Sequence, residues 1–461
     1  MPIYPFVMKG AKAFSFRWLA PAIAAACTFT AYADNIDWTT QLKKADGKTL
    51  RIIMIQDPWV KGFDTIDKEF QKVTGATVVV DSFSYDDVHQ KEVLMGNNKS
   101  DSYDIVVLDS PWVGEFQQGG YVEDLKPYVE KDSAIIAWDD FVPSFQQVAT
   151  WKGQYVGIPF GAYFVMFNYR TDLFQQASLQ PPKTIEDFFN AARTFTKNSK
   201  FPGIFGTALN NQRGAAVGQA YFEYIFNFGG KPFVSMYPGS PDPYADMTPL
   251  LTSPESIAVV QFLKDMLPFQ PPGALNIAWD QRANAFATGR IAMVGEWSVR
   301  EPLYSDPNRS RVVGKFGTEV FPAKQGVKPV PPLGGWVMGI NTNTKQKDLA
   351  WDYIKWFTSK DTHKKFVLVG GPPSRLSVMQ DPDVLKQSPW IKTVYETQSL
   401  TFADCRPRIP ESFQIIDKVG LHVSEALEGS VSIEEAMKAA NQEIGSLLKQ
   451  AGYKVSESPN R

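Results

Sequence analysis

Short apolar runs alternate with amphipathic segments in the first quarter of the chain. Three runs are predicted to form buried strands: LRIIMI at 50–55, ATVVV at 76–80 and YDIVVL at 103–108. Phe63 to Val73 places its apolar residues on one helical face and stops at Gly75, and Val88 to Met95 is also predicted to be helical. Strands that alternate with helices predict an α/β fold with a parallel sheet.

The remaining pattern is richer in helix than in strand. Apolar runs predict two strands within Trp151 to Tyr169, broken at Pro159 to Ala162, and another strand at Gly334 to Ile340. Helices are predicted at 185–196 (with Thr184 as N-cap), 253–267, 278–288, 347–357, and in most of the chain after Ser412. The Pro- and Gly-rich passage at 229–245 is predicted to be a surface loop and an insertion.

Residues 1–33 have the three parts of a cleavable export signal. Lys9, Lys12 and Arg17 supply positive charge, a mostly apolar stretch follows, and Ala31 to Ala33 forms a small-x-small cleavage site. The apolar stretch is too short to span a bilayer. Cys27 only weakly matches a lipoprotein box, so lipidation is the lesser alternative. We therefore predict export to the periplasm by a cleaved signal peptide.

Composition excludes several classes of function. The 47 basic and 49 acidic residues are nearly balanced, which gives no general attraction to nucleic acid. Cys405 is the one cysteine left after cleavage, so neither an internal disulfide nor a cysteine metal site is predicted. His89, His363 and His422 lie in contexts typical of helix surfaces, and no catalytic or nucleotide-binding motif occurs. We predict no catalytic residue, no metal and no cofactor.

Acids and tryptophans stand together where predicted strands end. Gln56 to Trp59 and Asp109 to Trp112 each place an acid and a tryptophan beside a proline, and Gly295 to Trp297 ends another strand. Ligands of parallel α/β sheets collect at the carboxyl ends of the strands. A sugar lies well on an aromatic face and pairs its hydroxyls with carboxylates, amides or guanidinium groups. The combination predicts a carbohydrate site.

Several motifs resemble those of the family 1 extracellular solute-binding proteins of bacterial ABC importers, the class that includes maltose-binding proteins. The matching segments follow the family's order over nearly the whole chain: Tyr103 to Val107, Gly120 to Leu125, Gly153 to Pro159, Phe167 to Arg170, Pro182 to Thr184, Phe286 to Met293, Gly334 to Asn341, Ala350 to Ile354 and Gly371 to Arg375. The loop at Asp109 to Trp112 matches the family's loop in position but not residue by residue, so the resemblance does not identify a sugar.

The resemblance implies a two-lobed periplasmic-binding-protein fold of type II with three interlobe crossings. Lobe one is then expected at 34–160 and 322–361, and lobe two at 163–320 and 363–461. It also implies that the lobes close on a small-molecule carbohydrate, and that the closed monomer docks transiently on membrane permease subunits. The predicted substrate-binding residues are Trp59, Asp109, Trp112, Tyr163, Asn211, Arg213, Glu296, Trp297, Trp336 and Arg375.

Alternatives remain open at the level of sequence. Asp57, Trp279 and Asp280 are weaker candidates, because acids near helix starts often serve only as caps. The same fold could bind another solute, such as a polyamine, which would need an aromatic cage with acids at both ends. A secreted glycoside hydrolase needs only two suitably spaced carboxylates. The sequence does not specify which sugar or polyol is bound, its length, its anomeric form or the affinity.

Overall fold

The computed structural model describes residues 36–456, so the predicted signal peptide at 1–33 lies outside the described residues. The strands of the described part are β1 (Thr49–Ile55), β2 (Thr77–Phe83), β3 (Ile105–Asp109), β4 (Thr150–Trp151), β5 (Gln154–Tyr155), β6 (Ile158–Arg170), β7 (Met293–Trp297), β8 (Phe316–Val320) and β9 (Leu333–Ile340). The predicted strands at 50–55, 76–80, 103–108 and 334–340 are confirmed, with ends shifted by a few residues.

Helices make up most of the remaining regular structure. They are α1 (Trp38–Gln41), α2 (Lys61–Thr74), α3 (Tyr85–Asn97), α4 (Val113–Gln118), α5 (Lys126–Lys131), α6 (Ser133–Ile136), α7 (Pro143–Val148), α8 (Thr171–Ala177), α9 (Ile185–Phe195), α10 (Ala215–Ile225), α11 (Pro254–Met266), α12 (Trp279–Ala287), α13 (Glu301–Ser305), α14 (Lys347–Thr358), α15 (Lys360–Leu368), α16 (Leu376–Met379), α17 (Pro382–Gln387), α18 (Ile391–Thr397), α19 (Ser412–Glu428) and α20 (Ile433–Gln450). In the part of the chain that the structure describes, no helix is long and apolar enough to cross a membrane.

The main sheet has the strand order β2-β1-β3-β9-β6-β7, and β8 also pairs with β6. β1 runs parallel to β2 and β3, as the alternating pattern predicts, because helices α2 and α3 carry the chain back between successive strands. β9 is antiparallel to both of its neighbours, β3 and β6. The sheet is therefore mixed, and its parallel part is confined to the first three strands.

One long strand joins the two halves of the sheet. Sequence analysis predicts two strands between residues 151 and 169, but the structure has a short hairpin, β4-β5, and then the 13-residue strand β6. Pro159 removes a backbone donor, and the strand passes it with a register shift between Pro159 and Gly161 instead of breaking. Ile158 to Phe164 pairs with β9, and Val165 to Arg170 pairs with β7 and β8. We call the β1, β2, β3 and β9 side the first half, and the β7 and β8 side the second half.

Residues just after 363 pack against the first half of the molecule, although the resemblance implies that they begin lobe two. Phe366 contacts Phe63 of α2 with ring centroids 5.4 Å apart. Ser374 donates a hydrogen bond from its hydroxyl to the carbonyl of Pro159 at 3.2 Å. Arg375 pairs with Asp140 at 3.1 Å. Further along, α18 contacts both β6 and β8. The segment 401–411 then leads into α19, which packs on α10 of the second half.

The three histidines are buried, which corrects their prediction as helix-surface residues. His363 accepts a hydrogen bond at Nε2 from the backbone N–H of Ser374, at 2.9 Å. Burial, together with the nearby Arg375 guanidinium, lowers the pKa of His363 to about 3. His89 stacks on Phe413 of the second half at 4.4 Å. The sequence does not predict this burial, because a histidine on the polar face of an amphipathic helix gives the same pattern whether or not another element covers it.

Local signals at element ends are confirmed. Thr184 caps α9 by accepting the N–H of Asp187 at 3.0 Å, and the Asp187 carboxylate accepts the N–H of Thr184 at 3.1 Å. The 229–245 passage packs against the protein near both of its ends. Phe233 and Met236 are buried, and Tyr244 contacts Trp151 with ring centroids 5.6 Å apart. It is therefore a packed loop that reaches from the second half to the hairpin of the first.

Candidate functional site

A cavity of about 940 Å³ lies between the two halves. Its walls come from the loops after β1 and β3, from the start of α3, from the start of α12, from the turn after β7, and from the segment 401–411. The carboxyl ends of β1 and β3 open onto it, which is where parallel α/β sheets place ligands. Both halves contribute side chains, so a solute in this cavity would touch both.

Aromatic rings line one face of the cavity. Tyr163 and Trp297 meet at 5.5 Å with their planes 75° apart, and Trp336 donates its indole N–H to the Tyr163 hydroxyl at 2.6 Å. Gly334 makes this packing possible, because a Cβ there would lie 2.8 Å from atoms of both Tyr163 and Trp297. The rings are thus fixed before a ligand arrives, and they offer apolar faces with little conformational freedom to lose.

A buried ion pair stands beside these rings. Arg406 contacts both carboxylate oxygens of Asp109, at 3.0 and 3.3 Å, and donates to the Ser110 hydroxyl at 2.8 Å. Tyr85 donates its hydroxyl to Asp109 at 2.8 Å. Burial, reinforced by the Asp109 charge, raises the pKa of Tyr85 and of Tyr163 well above its ordinary value, so both phenols stay protonated. The Arg406 Nε–H is buried without a hydrogen-bond partner among the described residues.

A second ion pair spans the cavity at a distance from the first. Arg300, in the turn after β7, contacts Asp280 of α12 at 2.9 Å and Asp57 of the first half at 3.5 Å. Burial raises the pKa of Asp57 to about 6, against the opposing effect of Arg300. The Nε–H of Arg300 is also buried and lacks a partner within the described chain. Each ion pair can therefore both donate and accept hydrogen bonds.

Four of the ten predicted substrate-binding residues line the cavity: Asp109, Tyr163, Trp297 and Trp336. Three weaker candidates, Asp57, Trp279 and Asp280, line it as well. The other six predicted residues lie outside the cavity lining.

Trp59 and Trp112 are buried in packing behind the cavity wall. Trp59 lies edge-on to Phe160 at 5.5 Å, and only its neighbours Pro58 and Val60 reach the cavity. Trp112 packs on Trp336 at 5.6 Å and supports that ring from behind. A tryptophan after a strand can turn either toward the cleft or toward the core, and its sequence position does not decide which.

Glu296 is fully buried and points away from the cavity, so it does not hold a ligand hydroxyl pair here. Both of its oxygens accept hydrogen bonds from Arg282, at 3.1 and 2.9 Å. Arg282 in turn contacts Glu223 at 3.1 Å. Side chains alternate along β7, so Trp297 and Glu296 face opposite sides of the sheet. That alternation explains why only the tryptophan reaches the cavity.

The remaining three predicted residues lie outside the cavity lining. Asn211 is buried and donates to Gln270 at 2.8 Å, which fixes a loop. Arg213 is exposed on the surface. Arg375 is buried in the first half, where it contacts Asp140 at 3.1 Å and the carbonyl of Ile136 at 2.8 Å.

Sequence reasoning missed Arg300, Arg406, Tyr85 and Gln219, which all line the cavity. Gln219 of α10 donates to the Tyr85 hydroxyl at 3.2 Å and so forms another contact across the cavity. Arg300 was detectable, since it follows the Gly-Glu-Trp strand end by three residues. Arg406 was not, because it comes from a segment nearly 300 residues after Asp109, its partner. Within residues 36–456, no cluster of three or more metal-ligating side chains is found.

Comparison with known proteins adds three findings. A protein-family model described as bacterial extracellular solute-binding protein matches residues 56–364. A probable amino-acid ABC transporter periplasmic-binding protein of Sinorhizobium fredii is 25% identical over 89% of this chain and 92% of its own length. An erythritol/L-threitol-binding protein of Mycolicibacterium smegmatis is 25% identical over 75% of this chain and 73% of its own.

Among solved structures, an ABC transporter solute-binding protein of Agrobacterium radiobacter K84, crystallised in complex with ribitol, is similar to this chain. The two share 35% sequence identity and superpose with a TM-score of 0.82. The similarity covers 88% of this chain and all of the other.

Proposed function

We propose a function from one premise: the chain belongs to the bacterial extracellular solute-binding proteins and has their type II, two-lobed α/β fold. The proposed function is capture of an uncharged sugar or polyol between the lobes and its delivery to the permease of an ABC importer. The carrying observation is the cavity between the halves, where fixed aromatic rings stand beside two arginine–carboxylate pairs.

The chemistry of the lining supports an uncharged, hydroxyl-rich solute. A hydroxyl both donates and accepts, and each arginine–carboxylate pair offers both functions at one place. Charge-assisted hydrogen bonds of this kind contribute about 1.5–3 kcal/mol each. The relatives whose names state a ligand include a binder of erythritol and L-threitol and a complex with ribitol, all of them acyclic polyols. A short acyclic polyol is therefore our first choice of ligand.

The polyamine alternative fits less well. At both ion pairs an arginine already stands beside the carboxylates: Asp109 is paired with Arg406, and Arg300 lies between Asp57 and Asp280. A second positive charge at either place would lie next to an arginine. One relative carries the name of an amino-acid binder, so amino acids are among the ligands tested below.

We divide the described chain into lobes according to its packing. Lobe one comprises 36–160 and 322–400, because the segment after 363 packs on α2 and on the carbonyl of Pro159. Lobe two comprises 163–320 and 412–456. The three proposed crossings are the middle of β6, the segment between β8 and β9, and the segment 401–411, which carries Arg406.

The wider setting follows from the family and from the N-terminus. We propose that residues 1–33 are a cleaved signal peptide, that the mature protein acts as a monomer in the periplasm, and that it docks transiently on permease subunits when closed. We also propose that it binds without catalysis. Incubation of the protein with its bound sugar or polyol should leave the ligand chemically unchanged, and formation of any product would overturn that proposal.

Titration calorimetry tests the main proposal. The mature protein is titrated with tetritols, pentitols, hexitols, mono- and disaccharides, amino acids and polyamines. We expect saturable binding of one or a few polyols or sugars. Trp297→Ala should weaken that binding, whereas Trp390→Phe, outside the cavity lining, should leave it unchanged. Binding of only a polyamine or an amino acid would overturn the carbohydrate assignment.

A further inference from the structure

Arg300 is anchored in lobe two and reaches into lobe one. Its side chain is about one-tenth exposed, and its Nη2 contacts Asp280 of the same lobe at 2.9 Å. Its Nη1 lies 3.5 Å from Asp57, which follows β1 in lobe one. Asp280 is 74% exposed and accessible to solvent, so it can stay with Arg300 whether the cleft is open or closed. The contact with Asp57 spans the two lobes and exists only when they meet.

The hydrogen bond from Arg300 to Asp57 is long. Charge-assisted N–H···O bonds are typically about 2.7–2.9 Å long, and the 3.5 Å separation is longer than that. The Nε–H of Arg300 is buried and has no partner in the described chain. Asp57 is buried too, and its only side-chain ion pair among the described residues is the one with Arg300. Both side chains line the cavity, and the long separation between Arg300 Nη1 and the Asp57 carboxylate leaves both able to bond to one ligand hydroxyl.

We propose that Arg300 couples ligand binding to lobe closure, because Arg300 and Asp57 bind the same ligand hydroxyl from opposite lobes. This inference rests on the proposed function. A ligand shifts a conformational equilibrium only by its differential affinity for the two states. A hydroxyl held by Arg300 and Asp57 together is bound fully only in the closed state. The Asp109–Arg406 contact differs from the Asp57–Arg300 contact. Arg406 lies in a crossing segment that joins the lobes, so its contact with Asp109 depends less on closure of the lobes.

The experiment compares four single variants, and the double variant Arg300→Gln/Asp57→Asn, with a polyol or sugar that the wild type binds. Arg300→Gln removes the charge, Arg300→Lys keeps it, and Asp57→Asn removes the partner. Arg170→Gln is the matched control, because Arg170 pairs with Asp172 at 2.6 Å outside the cavity lining. Stopped-flow fluorescence measures association and dissociation rates. Small-angle X-ray scattering measures the radius of gyration with and without ligand.

We expect Arg300→Gln to raise the dissociation rate about tenfold or more, since it removes one charge-assisted hydrogen bond. Its association rate should change by less than about threefold, because encounter occurs with the open form. The ligand-induced decrease in radius of gyration should become smaller, and Arg300→Lys should restore part of it. Arg300→Gln and Asp57→Asn should not be additive when combined. Arg170→Gln should behave as wild type.

Two results would overturn the inference. One is full ligand-induced compaction in Arg300→Gln at saturating ligand, and the other is an additive double variant. If Arg300→Gln does not fold, Arg300→Lys and Asp280→Asn decide the matter by the same two readouts, and unchanged dissociation and compaction in both would reject the coupling. Failure of the wild type to bind any sugar or polyol would instead reject the proposed function, which is a separate outcome.

Discussion

Two buried arginines of this chain have different roles, although both pair with an aspartate. Arg406 and Arg375 are both buried, and each pairs with an aspartate. Arg406 lines the cavity and keeps an unpartnered Nε–H. Arg375 instead donates its Nε–H to the carbonyl of Thr358 at 2.6 Å, which ties α14 to the segment after α15. Residue type alone predicts neither role; the position of the guanidinium group, at the cavity wall or inside lobe one, decides it.

Replacement of Arg375 by methionine should reduce stability without changing ligand affinity. The substitution leaves the buried Asp140 carboxylate without its arginine, and breaking a buried ion pair in this way costs about 3–5 kcal/mol. Denaturant unfolding measures the free energy, and calorimetry measures affinity. Arg406→Met is the contrasting variant and should lower affinity about tenfold to hundredfold. A large loss of affinity in Arg375→Met would return that residue to the binding site.

Asp57 should make ligand release depend on pH. Burial raises its pKa from the ordinary 3.8 to about 6 in the closed arrangement, where Arg300, Asp280 and Glu296 act on it. We expect opening to hydrate Asp57 and to return its pKa to the ordinary 3.8. The closed state is then favoured most below 3.8 and loses that advantage as pH rises to about 6. The dissociation rate should therefore increase over this range and then level off. Asp57→Asn should flatten the profile, and an unchanged profile in that variant would contradict the assignment.

At the scale of elements, strand ends decide what enters the cavity. The loops after β1 and β3 and the turn after β7 all reach it, so the sequence rule about carboxyl ends of strands holds for Asp57, Asp109 and Trp297. The rule does not say which neighbour in a loop turns inward. Trp59 and Trp112 each lie two or three residues past such an acid, yet both pack into the core.

Gly335 shows how closely β9 and β6 approach. Its φ is +147°, and a Cβ added there would lie 2.0 Å from the carbonyl oxygen of Gly161 and 2.5 Å from the Phe145 ring. Gly335→Ala should therefore destabilise the protein by about 1–3 kcal/mol through overpacking, in addition to the cost of its backbone conformation. Denaturant unfolding measures this cost.

Gly326→Ala is the control for Gly335→Ala. Gly326 also has a positive φ, +82°, but a Cβ there has nothing within 4 Å. Its expected cost is about 1–2 kcal/mol, from the backbone conformation alone. An equal effect of the two substitutions would show that the strands separate without cost.

At the scale of the whole molecule, the cavity exists because two halves meet. β6 belongs to both, and contacts such as Gln219–Tyr85 and Arg300–Asp57 span the space between them. Opening of the halves would break these contacts and expose the rings. On the proposed function, we expect a bound ligand and the cross-cavity contacts to stabilise the closed form together.

A bound ligand should stabilise the whole protein against unfolding. At a free concentration of one hundred times Kd, it should add about 2.7 kcal/mol to the free energy of unfolding. Urea unfolding with and without ligand measures the increment. Trp297→Ala, tested at the same ligand concentration, should show a smaller increment. An increment unaffected by Trp297→Ala would place the ligand outside the cavity.

The amino-acid sequence by itself determined the α/β class, the first three strands, the N-cap of α9 and the family, because periodicity, caps and collinear motifs are local properties. It also located Asp109, Tyr163, Trp297 and Trp336, which lie at strand ends or on the strand between the halves.

Only the tertiary structure decided which side chains meet in the cavity. Arg406 reaches Asp109 from almost 300 residues away, and Glu296 is taken by Arg282 on the opposite face of β7. It also decided that the residues just after 363 pack against the first half. Packing between the halves decides which distant charges pair, whether a tryptophan faces the core or the cleft, and where the last crossing runs. No local pattern in the chain encodes that packing.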